Sequence, residues 1–188
     1  MLARMNESHA KLVEWGLAHI DLAPHDTVLD IGCGGGNTLA RIAERVTEGH
    51  LVGIDYAKTS VEASRAFNAP LIEAGRMEIL HGSVEELPFA DERFDAVVTV
   101  ESFYFWPSPE KSLKEVRRVI KPGGTFVLLA EIYGRDDLPE GIRAKVAEYS
   151  LTNPTPTEFR SLFHAAGFRV VALDFKEGTY WIAVRGER

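Results

Sequence analysis

Residues 28–38 read VLDIGCGGGNT: a short apolar run, an acid at Asp30, then four glycines within five residues. Gly32, Gly34 and Gly36 give a G-x-G-x-G spacing directly after a strand-like run. Glycine has no β-carbon, so such a segment turns tightly and lets a ligand lie against the main chain. For a glycine cluster by itself, a tight turn without a ligand is the plain alternative. The dinucleotide fingerprint G-x-G-x-x-G is not met, because Asn37 stands where its third glycine belongs. Asp30 comes just before the first glycine. A carboxylate there repels a pyrophosphate and favours a ligand bearing an ammonium group or a cationic sulfur.

Asp55 ends a second strand-like run, roughly twenty residues beyond the glycines, where an acid accepts hydrogen bonds from both hydroxyls of a ribose. S-adenosylmethionine has an adenosine, an ammonium group, a sulfonium and no phosphate. It therefore suits the glycines, Asp30 and Asp55 together. The same spacing and the same acid disfavour a nicotinamide-dependent oxidoreductase. A non-catalytic module that binds S-adenosylmethionine is left open by these residues.

Five segments occur in order: VLDIGCGGGNT (28–38), GIDY (53–56), GSVEELPF (82–89), FDAV (94–97) and RVIKPGG (118–124). The series resembles the class I S-adenosylmethionine-dependent methyltransferases. It is most similar to the small-molecule branch of the ubiquinone/menaquinone-biosynthesis methyltransferases. The resemblance covers about residues 25–130. It implies a doubly wound, Rossmann-like α/β sheet of about seven strands with the last strand antiparallel. It also implies S-adenosylmethionine as cofactor and S-adenosylhomocysteine as product. Asp30, Gly32 and Gly34 would line the methionine and ribose side, with Cys33 filling space in the same turn. Asp55 would hold the ribose hydroxyls and Tyr56 would lie beside the adenine. The stretch Gly82-Ser83-Val84-Glu85 would meet the adenine edge. Ser83 departs from the aspartate common in the family, and a hydroxyl accepts more weakly than a carboxylate. The adenine contact then relies on the Val84 N–H, with Ser83 or Glu85 taking the amino group.

Transfer of a methyl group from a sulfonium disperses charge, so the protein mainly aligns donor and acceptor and excludes water. A base is needed only where the acceptor must lose a proton. After the strand-like run 94–100 comes ESFYFWP (101–107). The N/D-P-P-Y/F motif of enzymes that methylate amino groups of nucleobases or glutamine is absent there. Glu101 is the candidate catalytic residue; a structural hydrogen bond at a strand end is the alternative. Phe103, Tyr104, Phe105 and Trp106 form an aromatic wall in which at least two rings serve the core. Tyr104, Trp106 and Glu131, at the end of the next strand, are the candidate acceptor-pocket residues. His9 and His19 fall on an N-terminal helix that often covers the cofactor in the family, and they read best as structural or solvated. No His/Cys/Asp cluster has metal-ligand spacing along the chain, so no metal is expected. No Ser/His/Asp order suggests acyl transfer.

These residues need a scaffold of alternating strands and helices. Strand-like runs fall at 27–31, 50–54, 77–80, 94–100, 125–130, 169–175 and 179–184. The last two, joined by Lys176-Glu177-Gly178, predict an antiparallel hairpin. Helical patterns cover 2–20, 37–46, 109–120, stopped by Lys121-Pro122-Gly123-Gly124, and 156–166, opened by a capping-box pattern at Thr155–Glu158; a second capping-box pattern at Thr59–Glu62 predicts a helix to about Glu73. Alternation with short connections predicts a parallel sheet with helices on both faces. The chain of 188 residues reads as one methyltransferase domain, with residues 1–22 as a cap helix and 133–153 as a candidate lid. A net charge of −7, with a basic cluster only at Arg117, Arg118 and Lys121, argues against nucleic acid as a partner. There is no span of membrane length and no signal peptide, and the single cysteine permits no internal disulfide. A cytoplasmic protein is expected. With so little chain beyond the core fold, either the acceptor is a small molecule or a homodimer partner completes the site.

Overall fold

The computed structural model describes residues 9–188. Seven strands form one sheet: β1 (Thr27–Ile31), β2 (His50–Asp55), β3 (Met77–His81), β4 (Phe94–Val100), β5 (Ile120–Ala130), β6 (Arg169–Phe175) and β7 (Ile182–Glu187). Their order is β3-β2-β1-β4-β5-β7-β6. Strands β1 to β5 pair in parallel, and β7 runs antiparallel between β5 and β6. The expected hairpin and its antiparallel strand are therefore present. The chain winds outward in both directions from β1 and β4, and their carboxyl ends open the crevice where this kind of sheet binds ligands.

The central strands bury both faces, so their sequences are almost continuously apolar and alternate only in destination. Val28, Leu51, Ala96, Val98, Val127 and Leu129 point to one core, which α1 (Ala10–Gly16), α2 (Asn37–Ala43) and α3 (Lys58–Phe67) cover. Leu29, Val52, Ile54, Val97, Phe126 and Leu128 point to the other, under α5 (Pro109–Val119) and α7 (Pro156–Ala165). In that second core Trp106, Phe126 and Phe163 stack with interplanar angles of 19° and 15°. The short helix α4 (Ala69–Glu73) follows α3, and α6 (Glu140–Glu148) lies between β5 and α7. No helix among the described residues is long and apolar enough to cross a membrane.

Several boundaries differ from the sequence-based expectation. The predicted N-terminal helix is seen as α1 and a 3-10 turn, Leu17–His19; its first part lies outside the described residues. Thr59 does not cap a helix, because α3 has already started at Lys58: the Asp55 carboxylate accepts the Ala57 N–H at 2.8 Å and turns the chain early. The same helix ends at Asn68, whose amide donates to the carbonyls of Gly36 and Ser64, and Pro70 opens α4. Lys121-Pro122-Gly123-Gly124 does stop α5, yet β5 begins at Ile120, with a register shift between the Phe94–Ile120 and Ala96–Thr125 pairs. β7 starts at Ile182 rather than Thr179, since the Thr179 hydroxyl holds a turn by donating to Lys176 O and accepting from Trp181 N–H. The irregular stretch 133–153 contains α6, a helix without buried residues.

Thr155, in contrast, forms the full capping box with Glu158. Thr155→Ala should lower stability by about 1 kcal/mol in denaturant unfolding. Thr59→Ala, on the exposed face of α3, should change it by less than ~0.5 kcal/mol. Equal losses for the two would contradict the placement of the helix start.

Candidate functional site

The turn after β1 is fastened to β2. Gly32 and Cys33 N–H groups both donate to Ile54 O, at 2.8 and 3.2 Å. Gly34 N–H donates to Asp55 Oδ2 at 2.9 Å, while Asp55 Oδ1 takes Ala57 N–H. Gly32 has φ +73°, and a β-carbon there would lie 2.4 Å from the Ser102 side chain. Ser102 cannot yield easily, because its hydroxyl bonds Ile31 O and the Thr99 hydroxyl. Gly34 has φ +53°, but nothing lies within 4 Å of the place a β-carbon would take, so its side toward the crevice is open. The two glycines thus serve different needs, close packing in one case and backbone conformation with open access in the other.

A cavity of about 970 Å³ runs along this turn and past the ends of β2, β4 and β5. Gly32, Cys33, Gly34, Asp55, Tyr56, Ser83, Val84 and Glu85 all line it, as do Glu101, Tyr104, Trp106 and Glu131. Each of these predicted residues thus borders the same cavity. Asp30 is the exception. It is 1% exposed and lies off the wall, and neither carboxylate oxygen has a hydrogen-bond partner among the described residues. Tyr56 is 79% exposed, and its carbonyl bonds the His81 ring at 2.9 Å. The Ser83 hydroxyl accepts Glu85 N–H at 3.2 Å.

At the other end, Glu101 has φ +55°, an uncommon backbone conformation for a residue with a side chain. Its Oε1 accepts the Tyr104 hydroxyl at 2.9 Å and the Glu131 N–H at 2.5 Å. Of the four aromatic residues, Phe103, Tyr104 and Trp106 are buried, and Phe105 is 69% exposed. Trp106 therefore serves the core and the wall at once. Residues the sequence reasoning did not name singly include Ser60, Ser102 and, within the candidate lid stretch 133–153, Ile142, Lys145 and Val146 of α6. The apolar positions 142 and 146 sit one helical turn apart, the only local signal for them. His9 also lines the cavity, and one ligand atom each from His9, Glu101 and Glu131 lie within 4.8 Å of one another. Spacing along the chain shows no such group; the ends of β4 and β5 and the start of α1 assemble it.

Burial pushes the Asp30 carboxyl up to about 8, and the nearby Asp55 carboxylate adds to the rise. Burial pushes Glu101 up to about 7, with the Glu131 carboxylate adding to the rise and the bonds from Glu131 N–H and Tyr104 opposing it. The Cys33 thiol is raised by burial and by Asp30 and Asp55, so it is no thiolate at neutral pH. Because Asp30 titrates near 3.8 when unfolded and about 8 when folded, its contribution to stability is complete below about pH 4. It is lost as pH rises through 8. Asp30→Asn should therefore stabilise the ligand-free protein at about pH 9 and do so far less at about pH 4, read by thermal melts. A variant less stable than wild type at the higher pH would mean that the buried acid has a partner.

Residues 29–128 match the family described as a methyltransferase domain. A sterol 24-C-methyltransferase of Gibberella zeae is 35% identical over 129 residues, 66% of this chain and 34% of that protein. A demethylmenaquinone methyltransferase of Symbiobacterium thermophilum is 30% identical over 180 residues, covering 81% of this chain and 72% of the relative. The chain thus spans about a third of one relative and nearly three quarters of the other. A crystal structure of an S-adenosylmethionine-dependent methyltransferase from Aquifex aeolicus has the same fold, with a TM-score of 0.79 at 22% identity over 99% of this chain and 96% of that one. With the glycine turn, Asp55 and the seven-stranded sheet in place, the chain belongs to the methyltransferase-domain family.

Proposed function

We propose that the chain methylates a small molecule, with the cofactor lying along the glycine turn and the acceptor at the Glu101 end. The observation that carries this reading is one cavity shared by the glycine turn with Asp55 and by Glu101, Tyr104 and Glu131. The residues fit the cofactor. Asp30 is an orphaned buried acid close to the turn, and such a charge is relieved by a cation arriving nearby. The methionine ammonium and the sulfonium are such cations. Asp55 keeps lone pairs for the ribose hydroxyls while holding Gly34 and Ala57 N–H groups. Because the Ser83 hydroxyl already accepts Glu85 N–H, the Glu85 carboxylate is favoured for the adenine amino group, with Tyr56 beside the ring.

When bound, S-adenosylmethionine supplies an electrophilic methyl carbon and leaves as S-adenosylhomocysteine. The protein's own residues then align the acceptor, exclude water and handle its proton. Glu101 is held by Tyr104 and by Glu131 N–H, with its second oxygen left without a partner among the described residues. Phe105 and the cavity-facing residues of α6 form the cover, and a helix with no buried residue moves at little cost. The acceptor is small because the 970 Å³ cavity also houses the cofactor. A cytoplasmic setting suits a chain whose single cysteine is buried and unpaired.

Calorimetric titration should show S-adenosylhomocysteine binding, with NAD silent and with Asp55→Ala weakening the affinity at least ~10-fold. Binding of NAD alone would overturn the reading. Affinity for S-adenosylhomocysteine should rise with pH toward 8 in wild type and stay flat in Asp30→Asn, since the cation favours the ionised acid. With an acceptor identified by a screen for S-adenosylhomocysteine release, Glu101→Gln should lower kcat roughly 10²-fold and leave cofactor affinity nearly unchanged. Unchanged turnover would remove Glu101 from the mechanism.

A further inference from the structure

The geometry points to a divalent transition-metal site formed by His9, Glu101 and Glu131 at the acceptor end of the cavity. Its use in catalysis rests on the methyl-transfer reading, but its existence does not. The three side chains come from three separate elements: the residue before α1, the residue after β4 and the residue after β5. One ligand atom of each lies within 4.8 Å of the other two, and all three are half-buried on one cavity wall. Small rotamer changes bring such atoms around one ion. The free groups match this arrangement. Glu101 Oε1 is occupied by Tyr104 and Glu131 N–H, as an oriented ligand is by its outer partners. Its other oxygen, the Glu131 carboxylate and the His9 ring have no hydrogen-bond partner among the described residues. Lys145, the lysine on the cavity wall, forms no ion pair with either acid among the described residues.

The donor set decides the occupant. Two carboxylates alone would suit an ammonium group as well as a metal. An imidazole beside them adds a nitrogen donor that an ammonium group does not need, and the mixed set suits Mn²⁺, Fe²⁺ or Zn²⁺ better than Mg²⁺ or Ca²⁺. Three protein ligands leave coordination positions open on the cavity side, the pattern of a metal that takes substrate. The acceptor class follows: a hydroxyl or enol oxygen, best with a neighbouring oxygen to complete a chelate. Bound there, the oxygen gives up its proton to solvent more readily. It then forms the new C–O bond as the methyl carbon–sulfur bond breaks, with that bond's electron pair leaving on sulfur.

The test uses the full chain, freed of metal with a chelator, and titrates it with Mn²⁺ by electron paramagnetic resonance and with Zn²⁺ by calorimetry. One ion per chain is expected for at least one of the two metals. His9→Ala and Glu131→Gln should each weaken that ion at least ~10-fold, while both variants stay cooperatively folded in thermal melts and keep the wild-type S-adenosylhomocysteine affinity. Glu110→Gln, on α5 and outside this cavity, should leave the metal affinity unchanged. Failure of both metals to bind in a defined ratio, or binding that survives both substitutions, overturns the site. S-adenosylhomocysteine binding without metal binding sinks this site alone; metal binding without S-adenosylhomocysteine binding sinks the cofactor reading alone.

Discussion

The turn after β1 is the constraint on which the rest depends. It must bring the chain from the sheet into α2 within a few residues and leave main chain exposed to the crevice. Only left-handed backbone at Gly32, Gly34 and Gly36 does this. Two fastenings hold it to β2: the shared carbonyl of Ile54 and the carboxylate of Asp55. Asp55 therefore does two jobs. It fixes the turn and the start of α3, and it faces the cavity. The contact between Gly32 and Ser102 ties the same turn to the segment after β4, so the glycine-turn end and the Glu101 end of the cavity share one joint.

Parallel register sets the second level of order. Ile31 lies opposite both Ile54 and Thr99, and Val100 opposite Leu129. The residues just beyond these pairs, Asp55, Glu101 and Glu131, consequently emerge at one edge of the sheet. Glu101 beside Glu131 at one end of the cavity, and Asp30 behind Asp55 at the other, make an electrostatic environment that is costly when empty of cations. Stability lost at such a place is the usual cost of a site prepared to bind charge. The ligand chemistry inferred at each end, sulfonium and ammonium at one and a divalent ion at the other, offsets that cost with positive charge.

Local sequence by itself determined the glycine turn, the strands that feed it and the acids that end them, because each depends on a few neighbouring residues. A β-carbon is absent or present, and a β-branched run is extended or not. The Thr155 capping box was legible for the same reason, and so was the end of α5 at its Pro-Gly-Gly. The tertiary structure decided what depended on distant partners. Asp55 started α3 ahead of Thr59, Asn68 ended it, and the Thr179 hydroxyl delayed β7. Asp30 could be read from the sequence as an acid beside the glycine turn, but that it is buried off the cavity wall with no partner among the described residues was a matter of packing. His9 was indistinguishable from a solvated histidine until α1 carried it to Glu101 and Glu131, residues about 90 and 120 positions away. No local pattern records such a meeting, since it is fixed by how helices lie across the sheet.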